Sequence, residues 1–164
     1  MNELFNTVFE TELRLLLLLE ASLSIKACES TDGQEVCQVR KTTAEKLAAI
    51  DFITIYGASF GLTKLNLHGD GDYKFSEFAV RRDLTQKALR ELVRRGFVNV
   101  ENSQEGFVYT MTDAGLAFCN ELADEYANEY RESSFHVMDE MSNLSERDLT
   151  AFINRYSINS LKRN

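Results

Sequence analysis

Near the start of the chain Leu4, Phe5, Val8, Phe9, Leu16 and Leu19 recur at helical spacing, and further leucines fill most of the circumference. That pattern predicts a helix over residues 3–25, buried on more than one side. Residues 29–41, ESTDGQEVCQVRK, break the period and predict a polar connection with a short strand at 36–39. Thr42 opens Thr-x-x-Glu with Glu45, a capping box in which each side chain satisfies the other's backbone N–H. A helix should run from there to about residue 60, where Gly61 stops it. Beyond the loop NLHGDGDYKF, Ser76 caps a short helix over 78–81, and Asp83, with Gln86 three residues on, starts another. In that second helix Leu84, Ala88, Leu89, Leu92 and Val93 share one face and leave Thr85, Gln86, Lys87, Arg90 and Arg94 on the other, until Gly96 ends it. FVNVE and FVYTM alternate as two strands of a hairpin joined by the five-residue loop NSQEG. TDAG then opens a long helix carrying Leu116, Cys119, Leu122, Tyr126 and Tyr130. Ser145 and Asp148 cap a last helix with the stripe Leu149, Phe152, Ile153 and Tyr156. This order predicts a mainly α fold with a small β-hairpin wing, a winged helix-turn-helix domain with helical extensions at both ends. The division expected is a domain over 1–132, including the first helix, and a C-terminal extension over 133–164.

With 164 residues, 44% of them hydrophobic, the chain can bury a proper core. The leucine run is too short for a membrane span, which needs about 20 apolar residues. Three cysteines (Cys28, Cys37 and Cys119) without close pairing, and no leader at the start, point to a reducing, cytoplasmic setting. Cys28 and Cys37 read as small buried apolar groups. With only His68 and His136 there is no His-rich metal motif, the glycines form no phosphate loop, and the cysteine spacing fits no zinc site. No catalytic residue, metal or cofactor is expected.

The net charge of −8 is unevenly spread. Residues 81–95, RRDLTQKALRELVRR, hold six basic and two acidic side chains, a net +4, whereas residues 96–148 hold two basic and twelve acidic, a net −10. The basic island, Arg81, Arg82, Lys87, Arg90, Arg94 and Arg95, is the candidate contact surface for a partner or for DNA. For Arg81 and Arg82 two readings compete: contact at the start of the recognition-like helix, or pairing with Asp51 or Glu77 to hold the helices together.

Residues 66–77 read NLHGDGDYKFSE and mimic a twelve-residue calcium loop, with Asn66, His68, Asp70, Gly71 and Glu77 at its key places. The ligand set is poor. Asn66 lacks charge, His68 offers nitrogen to a hard cation, and Lys74 would sit among the ligands. A turn-forming loop, with Gly69 and Gly71 allowing tight geometry, is the better account.

The segment from Arg81 to Gly115 resembles a MarR-type winged helix, with a recognition-like helix ending in Arg-Gly-Phe-Val, a hairpin and Thr-Asp-Ala-Gly. That likeness implies a DNA-binding regulator, but the wing stretch ENSQEG carries two Glu and no Lys or Arg to meet phosphate. Residues 51–98 resemble something more specific. Asp51 and Phe52, then Leu67, His68 and Gly69, then Glu77, then Val80, Arg81 and Arg82 are similar to the middle component of ABC three-component systems, including the small subunit of Lamassu-type bacterial defence. The opening NTVFETELRLLLLLEA fits too, so the likeness covers about residues 5–120. It implies that His68 and Gly69 belong to a family loop. It also implies a non-catalytic adaptor between an SMC-like ATPase and an effector nuclease. The charge count, four cations (Lys87, Arg90, Arg94 and Arg95) beside an acidic wing, allows only weak, non-specific DNA contact.

Overall fold

The computed structural model describes residues 7–39, 41–69 and 77–162. Among these, α1 (Val8–Leu23) is the centre of the molecule. Thr7 caps it by accepting a hydrogen bond from the Glu10 amide, and Leu15 to Leu19 are all buried. An amphipathic helix would expose some of five consecutive residues; here α2, α3, α4, α5 and β5 all pack around α1. Each of those leucines contributes on the order of 2 kcal/mol by its burial.

A hairpin of β1 (Lys26–Thr31) and β2 (Gln34–Val39) follows; β2 contains the short strand expected at 36–39, and β1 lies where only a polar connection was expected. Its two-residue loop is Asp32-Gly33, both at positive φ (53° and 79°), the geometry that matches the twist of a tight hairpin. Cys28 stands opposite Cys37 in the register. Their side chains, and with them the expectation of small buried groups, lie outside the described residues.

Thr42 and Thr43 form a short strand, β3, which pairs with the later hairpin, so the helix cap is Thr43 rather than Thr42. Its hydroxyl accepts from the Lys46 amide. The next helix, α2 (Ala44–Ile55), ends a turn before the expected stop, and residues 56–61 form tight turns.

One continuous α3 (Glu77–Arg94) replaces the two helices expected here. Asp83 does not cap anything; it pairs with Lys87 one turn on, at 2.8 Å. Nothing between residues 78 and 83 breaks a helix, since that stretch holds neither Gly nor Pro. The expected cap Ser76 lies outside the described residues.

β4 (Val98–Ser103) and β5 (Gly106–Met111) form the wing with a two-residue loop, shorter than expected, and the three-stranded antiparallel sheet has the order β3-β5-β4.

The single long helix expected after Thr112 is two helices, α4 (Asp113–Asn120) and α5 (Glu125–Met141). Asp124 caps α5 by accepting from the Ala127 amide at 2.7 Å. Arg131 donates back to the Cys119 and Leu122 carbonyls, both at 3.0 Å, and so satisfies the end of α4. Because α5 runs through residues 132 and 133 and packs on α1 and α2, the expected domain division falls inside one helix. α6 (Glu146–Lys162) is capped by Ser145, whose hydroxyl accepts from the Asp148 amide, and Phe152 and Tyr156 pack on Phe60. The whole is mainly helical with a small three-stranded sheet, consistent with a winged-helix arrangement. Among the described residues no helix is long and apolar enough to cross a membrane.

Candidate functional site

The leucine-rich α1 carries one cation on its buried side, Arg14, 1% exposed. A buried guanidinium needs a partner, and α2 supplies Asp51, also 1% exposed. Arg14 Nε donates to Asp51 Oδ1 at 3.1 Å and Nη2 to Oδ2 at 3.4 Å, while Nη2 also reaches the Thr11 hydroxyl. From α5 the Tyr130 hydroxyl donates to Asp51 Oδ1 at 2.6 Å. Burial pushes the Asp51 carboxyl up, but Arg14, Arg81 and the Tyr130 hydrogen bond outweigh it and hold the group below the usual carboxylate range.

A second layer joins α3 to the loop before it. Arg81, 2% exposed, donates from Nη2 to Glu77 Oε2 at 3.2 Å and to His68 Nδ1 at 3.1 Å. The Tyr56 hydroxyl donates to the same Glu77 oxygen at 2.8 Å. Arg81 is a donor only, so His68 Nδ1 must accept, and the neutral ring carries its proton on Nε2, which donates to the Tyr126 hydroxyl at 2.7 Å. Gly69 takes a φ of +75° just beyond, where the chain turns away. The described side chains of the calcium-like stretch are thus engaged elsewhere: Asn66 on Ser59, His68 on Tyr126 and Arg81, Glu77 on Tyr56 and Arg81. Asp70, Gly71 and Lys74 lie outside the described residues.

The family-motif residues Asp51, His68 and Glu77 therefore converge, through Arg14 and Arg81, on one buried network that ties α1, α2, α3 and α5 together. A model of the family described as ABC-three component (ABC-3C) system Middle Component 2 matches residues 4–163. The chain belongs to this family. No curated protein and no solved structure matches it. The Middle Component 2 match extends the likeness read from residues 5–120 through α5 and α6, the last forty residues included.

In this Middle Component 2 chain the basic island divides. Arg81 is enclosed and offers no surface to a partner, so it leaves the set of contact candidates for a physical reason, its burial against Glu77 and His68. Arg82 is exposed and pairs with Glu45 of α2 at 2.8 Å. Lys87 pairs with Asp83, Arg94 with Glu91 at 2.7 Å, and Arg95 with the buried Glu12 of α1 at 3.3 Å. Among the described residues Arg90 is the one member of the six without an ion pair. Each exposed pair contributes little to stability, but together they offset the positive charge of the face that was expected to meet a partner or phosphate. Sequence reasoning missed Arg14, Tyr56, Tyr126 and Tyr130. A single Arg amid consecutive leucines was the available signal, since a cation there requires a buried counter-ion.

The network makes stability depend on acid. Burial, with the Arg14 and Arg81 guanidinium groups nearby and Asp51 opposing them, holds the His68 imidazole at about 3, below its ordinary 6.5. The folded chain therefore takes up this proton later than the unfolded chain does. His68 contributes its full stabilisation above about pH 6.5 and loses it as pH falls toward 3, at roughly 1.4 kcal/mol per unit. Unfolding by urea at pH 6.5 and pH 5 should show a loss of roughly 2 kcal/mol, and His68→Gln should flatten that slope. An unchanged slope in the variant would remove His68 as the cause.

Proposed function

We propose that this chain is a non-catalytic adaptor that joins an SMC-like ATPase to an effector nuclease in a Lamassu-type, antiviral defence complex. Membership of Middle Component 2 supports a place in a multi-component assembly, and so protein partners. The observation that favours an adaptor over a DNA-binding regulator is the surface of α3 and of Arg95 just after it: of the exposed cations there all but Arg90 are engaged by carboxylates of this same chain. The wing adds Glu101 and Glu105, with Lys41 bound to Glu101 at 2.5 Å. A recognition helix and wing meant for DNA would keep such cations available for phosphate.

Co-expression with the ATPase and effector subunits should yield one complex on size exclusion. The isolated chain, titrated against several unrelated duplexes at two salt concentrations, should bind at roughly micromolar or weaker and lose binding steeply as salt rises. Tight binding to one duplex that survives the higher salt would replace the adaptor with a transcription regulator.

A further inference from the structure

We propose that the seam between α1 and α5 is a docking groove for an amphipathic helix of a partner subunit, one whose groove-facing polar residues are basic. The proposal rests on the adaptor reading and names where the partner sits. Two hollows lie along this seam. The first, about 200 Å³, is walled by Leu13, Leu17, Leu122 and Ala127, with Glu10 and Asp124 also lining it. The second, about 470 Å³ and more open, lies between Ala21 of α1 with its cap Ser24 and Asn128 and Phe135 of α5, with Glu20, Arg131 and Glu132. On α1 the lining positions run from Glu10 to Ser24 along one face, and on α5 from Asp124 to Phe135 in the same direction, so the helices flank the hollows side by side. The fourteen steps from Glu10 to Ser24 rise about 21 Å, the length of about four turns of a bound helix.

Charge selects the occupant. Of the two cations that line the seam, Arg14 is held by Asp51 and Arg131 by Glu20 at 2.8 Å. Among the described residues Glu10, Asp124 and Glu132 form no ion pair, and although the Arg14 and Arg81 guanidinium groups act on Glu10 from within the fold, its Oε2 is buried with no hydrogen-bond partner. An ammonium or guanidinium entering beside Leu13 and Leu17 would satisfy that oxygen, and its aliphatic stem would lie on the leucines. At the other end Phe135, 50% exposed, offers an apolar anchor. The three-component system to which the family belongs makes that occupant a different chain, and a second copy is the competing outcome of the test.

The test uses the full chain with the co-expressed ATPase and effector subunits, and affinity is measured by calorimetry for wild type, Glu10→Gln and the double variant Glu132→Lys, Phe135→Ser. Both substituted α5 positions are exposed, so the thermal midpoint of the double variant should stay at the wild-type value. Its affinity should fall roughly thirty-fold, Glu10→Gln should fall in the same direction, and Glu105→Lys on the wing should leave binding intact. Wild-type affinity in both groove variants, or loss only in the wing variant, would overturn the groove while the adaptor reading stands. If wild type binds neither subunit, both readings fall. If the double variant instead dissolves a homodimer seen by sedimentation, the occupant is a second copy and the partner-helix proposal is wrong.

Discussion

Asp51→Asn is expected to cost about 3–5 kcal/mol of stability, the penalty for leaving a buried guanidinium without its counter-charge. The volume barely changes, so the effect isolates charge. Arg14 would keep hydrogen-bond acceptors but lose the carboxylate that holds it, and Tyr130 would lose the ionised oxygen it donates to at 2.6 Å. For a chain of this size the thermal midpoint should drop on the order of 10 °C. The companion experiment is Arg14→Met with Asp51→Leu, which removes both charges and their desolvation. That double variant should be clearly more stable than Asp51→Asn, because an apolar replacement of a buried pair is often close to neutral. If the double variant proves as damaged as the single, the network holds the helices by its geometry and not by mutual compensation of two buried charges.

Gly115 is the second site where a small change should matter greatly. It lies in the first turn of α4, buried, and a Cβ built there would stand 2.2 Å from the Phe97 carbonyl oxygen and 3.1 Å from the Met111 side chain. The carbonyl cannot easily move aside. The Thr112 amide donates to it at 3.1 Å, and the Thr112 hydroxyl donates to the Gly96 carbonyl at 2.7 Å, so the turn before the wing and the start of α4 are fastened together. Helix propensity alone predicts that Gly115→Ala stabilises by about 1 kcal/mol. The close approach predicts the opposite sign, with Gly115→Val worse at about 3 kcal/mol of destabilisation. Urea unfolding of both variants decides between them, and a more stable Ala variant would show that α4 has room to shift.

These two sites differ in how legible they were. Thr-Asp-Ala-Gly announced a helix start, and Thr112 does cap α4, yet nothing in the four letters says that Gly115 is needed by Phe97. Asp51 was read as part of a family motif, but its two hydrogen-bonding partners lie 37 and 79 positions away along the chain. Arg81 and Arg82 show the limit most simply. They are neighbours with the same side chain, and on a helix successive residues point about 100° apart, so one is enclosed by α1, Glu77 and His68 while the other faces water and Glu45.

What the sequence by itself determined is what depends on near neighbours and on period. The leucine run could only be a helix surrounded on most sides. Gly96 at a φ of +78° had to end α3, alternation gave β4 and β5, and the Ser145–Asp148 cap started α6. Only the tertiary structure decided the rest. The β1–β2 hairpin went unread because residues 26–31, KACEST, show no alternation of apolar and polar positions. Thr42 went to a strand because β5 offered it a free edge. α4 separated from α5 because Asp124 and Arg131 together satisfy the amides and carbonyls that a break exposes. The physical reason is common to all of these. A cap or an apolar stripe is worth about 1 kcal/mol or less per residue and acts within a few positions, whereas a buried charge or an unpaired carbonyl costs several times that and is satisfied by whichever distant group the fold brings within 3 Å.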